Sequence, residues 1–197
     1  MNNDRFRIFF RGAYQVGKTR FIGRYISGKN YFSDSNLFDL RIKRVNYNGH
    51  PLLLSLFEMM CQKYNKEHPP GHNYRMSQGI IILFDVTARD SLHALQTEIE
   101  NNIKPALSSE DHPVIYIIGN KRDLENKSKI TEEEAKYFCD KYGYKYFECS
   151  TLYDFDDVPH IMGMLTLDMI NQKLLDEEKK PILTEKEIKM NKKCLIF

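Results

Sequence analysis

Cysteines are few in this chain, four in 197 residues at positions 61, 139, 149 and 194, and no two stand in a C-x-x-C pair. That spacing argues against a disulfide framework or a cysteine zinc site and for reduced thiols in a cytosolic protein. Long apolar runs are missing too. The longest, such as Ile80–Phe84, fall far short of the roughly 18 residues a membrane span needs. The opening "MNNDRFRIFF" has no long apolar segment preceded by positive charge, so no signal peptide is expected. Charge of one sign is not in excess. The net charge is +2, with 28% charged and 42% apolar residues, an ordinary soluble composition that demands no nucleic-acid partner. There is no internal repeat and no low-complexity stretch. The length bounds the chain to one domain with a sizeable core and a short tail. We place the domain at residues 1–178. Residues 179–197 read as a flexible basic tail, because six Lys against two Glu give it a net +4.

What is present is an alternation of short apolar runs with helix-length segments. Arg5–Arg11 reads as a strand and "GKTRFIGRYISG" as a helix ending at Gly28. "LRIKRVNYNGHPLLLSLF" reads as a hairpin turned at Asn48-Gly49, which supply the positive φ of a tight turn. "GIIILFDV" and "PVIYIIGN" read as buried strands, with a helix near Ser91–Leu107 between them. A further helix starts at Thr131, with Glu134 three residues on as a capping box. "YKYFECS" is a last strand and Val158–Leu175 a last helix. This order implies an α/β fold: a six-stranded, mostly parallel sheet with one antiparallel edge strand and helices on both faces. Ligands of such sheets bind at the C-terminal strand ends, and each motif below falls at one.

"GAYQVGKT", Gly12 to Thr19, matches G-x-x-x-x-G-K-[ST] between a predicted strand and a predicted helix, the context that a phosphate loop needs. Its glycines let backbone N–H groups turn towards phosphate oxygens, and the helix N-terminus adds a positive dipole end. The candidate phosphate-binding residues are Gly12, Gln15, Val16, Gly17, Lys18, Thr19 and Arg20. Lys18 reaches the β- and γ-phosphates, and the Thr19 hydroxyl is a Mg²⁺ ligand.

"GNKRDLE" places Asn120, Lys121 and Asp123 just after the fifth strand. A carboxylate there can accept hydrogen bonds from guanine N1–H and the 2-amino group, which adenine does not offer together, while the Lys stem lies over the ring face. "ECST" follows the next strand, and backbone N–H groups around Ser150, Thr151 and Leu152 are candidates for guanine O6. The order of the three motifs resembles the Ras-like small GTPases over roughly residues 5 to 175, in a divergent Rab- or Ras-type form. No room exists between Asp123 and Glu148 for the extra helix typical of Rho proteins, and "DLRIKRVNYNG" is similar to the Rab hairpin. The resemblance implies the P-loop small-GTPase fold, GTP/GDP and Mg²⁺ as cofactors, and a monomer. It also implies effector, exchange-factor and GTPase-activating proteins as partners in signalling or vesicle trafficking.

The same resemblance sets "EMMCQ" against the family's D-T-A-G-Q-like stretch. Gln62 then takes the place of the catalytic Gln that orients water, Cys61 that of the Gly which senses γ-phosphate, and Glu58 that of the metal-side Asp. Glu58 is one methylene longer, which suits a water-bridged hold on Mg²⁺. Cys61 keeps the backbone N–H but restricts the backbone. In the first switch, alignment of "FDLRIK" brings Ser35 to the γ-phosphate and metal-sensing position, whereas counting forward from Lys18 brings Leu37 there. Tyr31 or Phe32 could stack on the guanine edge or belong to the core. Tyr14 holds a loop position where relatives have Gly and where bulk obstructs an arginine finger. An unassisted relative hydrolyses GTP at about 10⁻⁴ to 10⁻³ per second, and the finger adds roughly 10³ to 10⁵. Slow hydrolysis is therefore expected.

"KMNKKCLIF" ends in a C-a-a-X pattern with Cys194 as the prenyl acceptor and Phe197 favouring geranylgeranyl. One lipid binds reversibly, so a second signal is expected from Lys186, Lys189, Lys192 and Lys193, at about 1 kcal/mol each beside anionic lipid. The expected location is the cytoplasmic face of a membrane, with a cytosolic pool. The competing expectation is a catalytically inactive, non-cycling guanine-nucleotide-binding scaffold tethered to membrane. A third reading, a small-molecule kinase with a phosphate loop, leaves N-K-x-D and the lipid box unexplained.

Overall fold

The computed structural model describes residues 4–28, 38–47, 50–59, 74–153 and 156–177. Gln62, Ser35, Leu37, Tyr31, Phe32, Cys61, Cys194, the four tail lysines and the Asn48-Gly49 turn lie outside those residues. The strands are β1 (Asp4–Gly12), β2 (Phe38–Tyr47), β3 (His50–Met59), β4 (Gly79–Asp85), β5 (Val114–Asn120) and β6 (Lys145–Cys149). The helices are α1 (Lys18–Ser27), α2 (Arg89–Glu98), α3 (Glu132–Tyr142) and α4 (Asp157–Asp176). The sheet order is β2-β3-β1-β4-β5-β6, with only β2–β3 antiparallel, as the alternation of runs implies.

Side-chain alternation along the strands divides the core into two layers. Phe6, Ile8 and Phe10 of β1, with Ile81 and Leu83 of β4, meet Phe21 and Ile22 of α1 and Ile161 and Leu165 of α4. Ile80, Ile82 and Phe84 point the other way, onto Leu92 and Leu95 of α2 and Ala135 and Cys139 of α3. Each Leu, Ile or Phe among them is worth about 1.5–3 kcal/mol when fully buried. All seven residues of β4 are buried, as its unbroken apolar run suggests. Among the described residues no helix is long and apolar enough to cross a membrane.

The helix expected at Ser91–Leu107 forms and ends at Leu107, but it is not α-helical throughout. After Glu98 the chain widens into a π-turn, Ile99–Ile103, where Lys104 N–H bonds the carbonyl of Ile99, and one short turn, Lys104–Ala106, follows. Pro105 has no N–H to continue an α-helical ladder, which accounts for the change there. The capping box is half formed. Thr131 Oγ1 accepts from Glu134 N at 3.2 Å, but the Glu134 carboxylate pairs instead with Arg89, at 2.7 and 3.0 Å.

Chain order reverses between β1 and β4: the chain leaves β1 for the β3 side and returns at β4 on the other. The crevice at that reversal is where a ligand of an open α/β sheet lodges. Gly12, Asp85, Asn120 and Cys149 end their strands there, and Glu58 lies one residue from the end of β3.

Candidate nucleotide-binding site

The phosphate loop turns on two glycines that no other residue could replace without displacement. Gly12 has φ +137°, and a Cβ on it would lie 2.2 Å from the carbonyl oxygen of Leu83. Gly17, at φ +102°, begins α1, and its Cβ would lie 2.3 Å from Asn120 Nδ2. Gln15 takes φ +63° and Lys121 φ +69°, the positive-φ non-glycine residues among those described. Such backbone costs about 1–3 kcal/mol and concentrates at ligand sites. Here one lies in the phosphate loop and one in the N-K-x-D motif.

Lys18 folds back over the loop and donates from Nζ to the carbonyls of Gly12 at 3.0 Å and Ala13 at 2.9 Å. That anchors its ammonium in the turn, and an ammonium has three N–H donors to distribute. Val16 is buried in the core at 1% exposure, so its side chain packs and only its backbone lines the loop. Arg20 is half-buried in the first turn of α1, whereas Tyr14 stands out at 71% exposure.

Thr19 Oγ1 donates to Glu58 Oε1 at 2.6 Å, and the Glu58 side chain is buried. Glu58 thus meets Thr19 directly. A hydroxyl that gives its only proton to a carboxylate turns lone pairs outward, and hard oxygen donors of this kind suit Mg²⁺, which keeps several waters and phosphate oxygens as further ligands. Among the described residues no three His, Cys, Asp or Glu side chains cluster as a protein-only metal cage. The pair fits an ion shared with a nucleotide's phosphates.

On the base side, Asn120 links the two halves. Its Nδ2 donates to Val16 O at 2.8 Å and Thr151 Oγ1 at 3.3 Å, while its Oδ1 accepts from Thr151 N at 3.1 Å. Asp123 is exposed, and its Oδ1 accepts from the Ser150 hydroxyl at 2.6 Å. Ser150 Oγ accepts in turn from the N–H groups of Leu152 at 3.2 Å and Tyr153 at 3.1 Å. Two of the three N–H groups named as O6 candidates are therefore engaged within the loop, Thr151 N with Asn120 and Leu152 N with Ser150.

Sequence reading missed Asp85. Its Oδ2 accepts from Lys121 Nζ at 2.5 Å, and its Oδ1 from Thr87 N at 2.9 Å and Thr87 Oγ1 at 2.7 Å. Burial alone would raise the Asp85 carboxyl, but the hydrogen bonds from Lys121 and Thr87 and the nearby ammonium outweigh it, so its pKa falls below the usual value. The pair holds the Lys121 stem between the ends of β4 and β5. The available signal was an acidic residue ending an apolar strand. It also missed Arg24 of α1, whose guanidinium is buried against the carbonyls of Thr151 and Leu152.

A family model described as the Ras family matches residues 7–169. Among curated relatives, Ras-related protein Rab-3A of Homo sapiens is 28% identical over 147 residues, covering 74% of this chain and 65% of that protein. Ras-related protein Rab-21 of Geodia cydonium is 30% identical over 148 residues, covering 73% and 62%. Ras-related protein Rab-27A of Mus musculus is 30% identical over 175 residues, covering 83% and 77%. The chain spans just under two thirds of the length of the first two.

Proposed function

The chain belongs to the Ras family, and on that premise we propose that it is a membrane-anchored small GTPase that binds GTP and GDP with Mg²⁺ and hydrolyses GTP slowly. The observation that carries the reading is the Asn120 bridge, which joins the phosphate loop at Val16 to the base loop at Thr151. One side chain thereby fixes the distance between the groups that would hold phosphate and the groups that would read guanine.

Each residue has a definite task in this reading. The loop amides and Lys18 bind the β- and γ-phosphates. Asp123 accepts from guanine N1–H and the 2-amino group, and Lys121, held by Asp85, lies over the ring. Thr19 and Glu58 hold the metal, together with Ser35 of the first switch. Bound Mg²⁺ neutralises phosphate charge. Gln62 orients the attacking water, and Tyr14, standing free of the loop at 71% exposure, narrows the approach of an arginine finger. Effector, exchange-factor and activating proteins are its partners, as a monomer in signalling or vesicle trafficking. Residues 179–197 form a basic tail that holds it to the cytoplasmic face of a membrane through prenylated Cys194 and Lys186, Lys189, Lys192 and Lys193.

The test has two arms. In competition for the purified protein, GTP and GDP should displace a labelled guanine nucleotide and ATP should not; preference for ATP would sink the guanine assignment. Geranylgeranylated protein should sediment with anionic vesicles and lose that binding in Cys194→Ser. Equal sedimentation of the two would remove the lipid anchor from the account.

A further inference from the structure

Arg24 lies inside α1, outside each sequence motif, and is 1% exposed. Burying a guanidinium costs free energy, which hydrogen bonds from its donors offset. Nε and Nη2 donate to Thr151 O at 3.2 and 3.0 Å, and Nη2 also donates to Leu152 O at 2.8 Å. Those carbonyls belong to the peptide units whose N–H groups are those of Leu152 and Tyr153. The described chain has no cis peptide, and in a trans peptide C=O and N–H point in opposite directions. Drawing both carbonyls towards α1 therefore turns both N–H groups away from it. There they meet Ser150 Oγ, at 3.2 and 3.1 Å.

A serine hydroxyl has one proton and two lone pairs. With the N–H groups of Leu152 and Tyr153 donating to the oxygen, its proton is directed outward as a donor, and it goes to Asp123 Oδ1 at 2.6 Å. An exposed carboxylate would otherwise rotate freely; this bond fixes one of its oxygens and leaves further lone pairs for a ligand. We propose that Arg24 is a positioning residue for base selection. Acting through the two peptide planes and Ser150, it holds the Asp123 carboxylate in the orientation that reads the N1–H and 2-amino edge of guanine. The inference rests on the reading of Asp123 given under Proposed function.

The discriminating ligand is IDP, whose hypoxanthine keeps O6 and N1–H but lacks the 2-amino group. The full chain should bind GDP more tightly than IDP. In Arg24→Gln the GDP:IDP affinity ratio should fall about tenfold, the equivalent of one charge-assisted hydrogen bond. Arg24→Lys, which keeps the charge but not the planar fork, should lose less, and it answers the same question if Arg24→Gln does not fold. Ser150→Ala should lower the ratio as well, and adding Arg24→Lys to it should lower the ratio no further, because both act along one path. If the Arg24 variants weaken GDP and IDP binding equally and leave the ratio at its wild-type value, Arg24 only braces the loop and the inference is overturned. A wild-type chain with no preference for GDP over IDP would refute the Asp123 reading itself, and this inference with it.

Discussion

At the scale of single residues, the Asp85–Lys121 pair shows how a short contact sets the attitude of a ligand-facing side chain. Its 2.5 Å contact is largely shielded, with Asp85 at 11% and Lys121 at 31% side-chain exposure. Because the folded carboxyl titrates below its ordinary value of 3.8, the pair stabilises the fold above that value and the contribution is lost as pH falls through the lower, folded value. Asp85→Asn should therefore cost about 1.5 to 3 kcal/mol at neutral pH, a hydrogen bond to a charged group being worth that much. The difference from wild type should shrink once the medium is more acidic than 3.8, as denaturant unfolding across pH would show. A difference of the same size in neutral and in acid solution would contradict the assignment. Asp85 was passed over because the one local signal, an acidic residue ending an apolar strand, does not name its partner, which stands 36 positions away. Only the β4–β5 register, which sets Asp85 beside Asn120, brings it to the base motif. Thr19, Lys18 and Asn120 were legible, since their spacing within a motif is itself the geometry.

At the scale of elements, the strand and helix order follows from apolar runs and turn residues, and the start and end of α1 lie where Gly17 and Gly28 suggest. The π-turn after α2 escaped periodicity, which counts side chains on a face and does not register an i→i+5 bond ahead of Pro105. That same region holds a polar cluster in the interior. Arg11 of β1, fully buried, donates to Glu98 Oε1 from Nε at 2.8 Å and from Nη2 at 2.6 Å. The Tyr74 hydroxyl also donates to Glu98, and Asn102 Nδ2 bonds its other oxygen at 2.9 Å. The cluster ties β1, just before the phosphate loop, to the end of α2 and to Tyr74. Arg11→Met leaves the Glu98 carboxylate, only 13% exposed, without its cation, and should cost up to about 3–5 kcal/mol. Replacing both, as Arg11→Met with Glu98→Leu, should recover much of that loss. Urea unfolding would reveal it, and a single variant within about 0.5 kcal/mol of wild type, the range of an ordinary surface change, would show that the cluster does not hold these elements together.

At the scale of the molecule, the chain reversal between β1 and β4 gathers strand ends from across the sheet into one crevice, and each half of the candidate site is braced to the other. Asn120 joins phosphate loop to base loop, Arg24 joins α1 to the base loop, and Thr19 joins α1 to β3 through Glu58. Sequence order alone revealed that the three motifs belong together; it did not reveal these braces, because long-range pairings such as Arg24 with Leu152 have no local pattern to read. The cleft so braced would hold a nucleotide between its two halves, and the proposed function makes it a slow switch. The measurement that tests this most directly is single-turnover GTP hydrolysis by the purified protein with Mg²⁺, comparing wild type with Gln62→Leu. The account expects a slow wild-type rate, on the order of 10⁻⁴ to 10⁻³ per second, that falls further in Gln62→Leu while guanine-nucleotide affinity is kept. Tight guanine-nucleotide binding with no turnover that depends on Gln62 would contradict it and leave a tethered, non-cycling binding module.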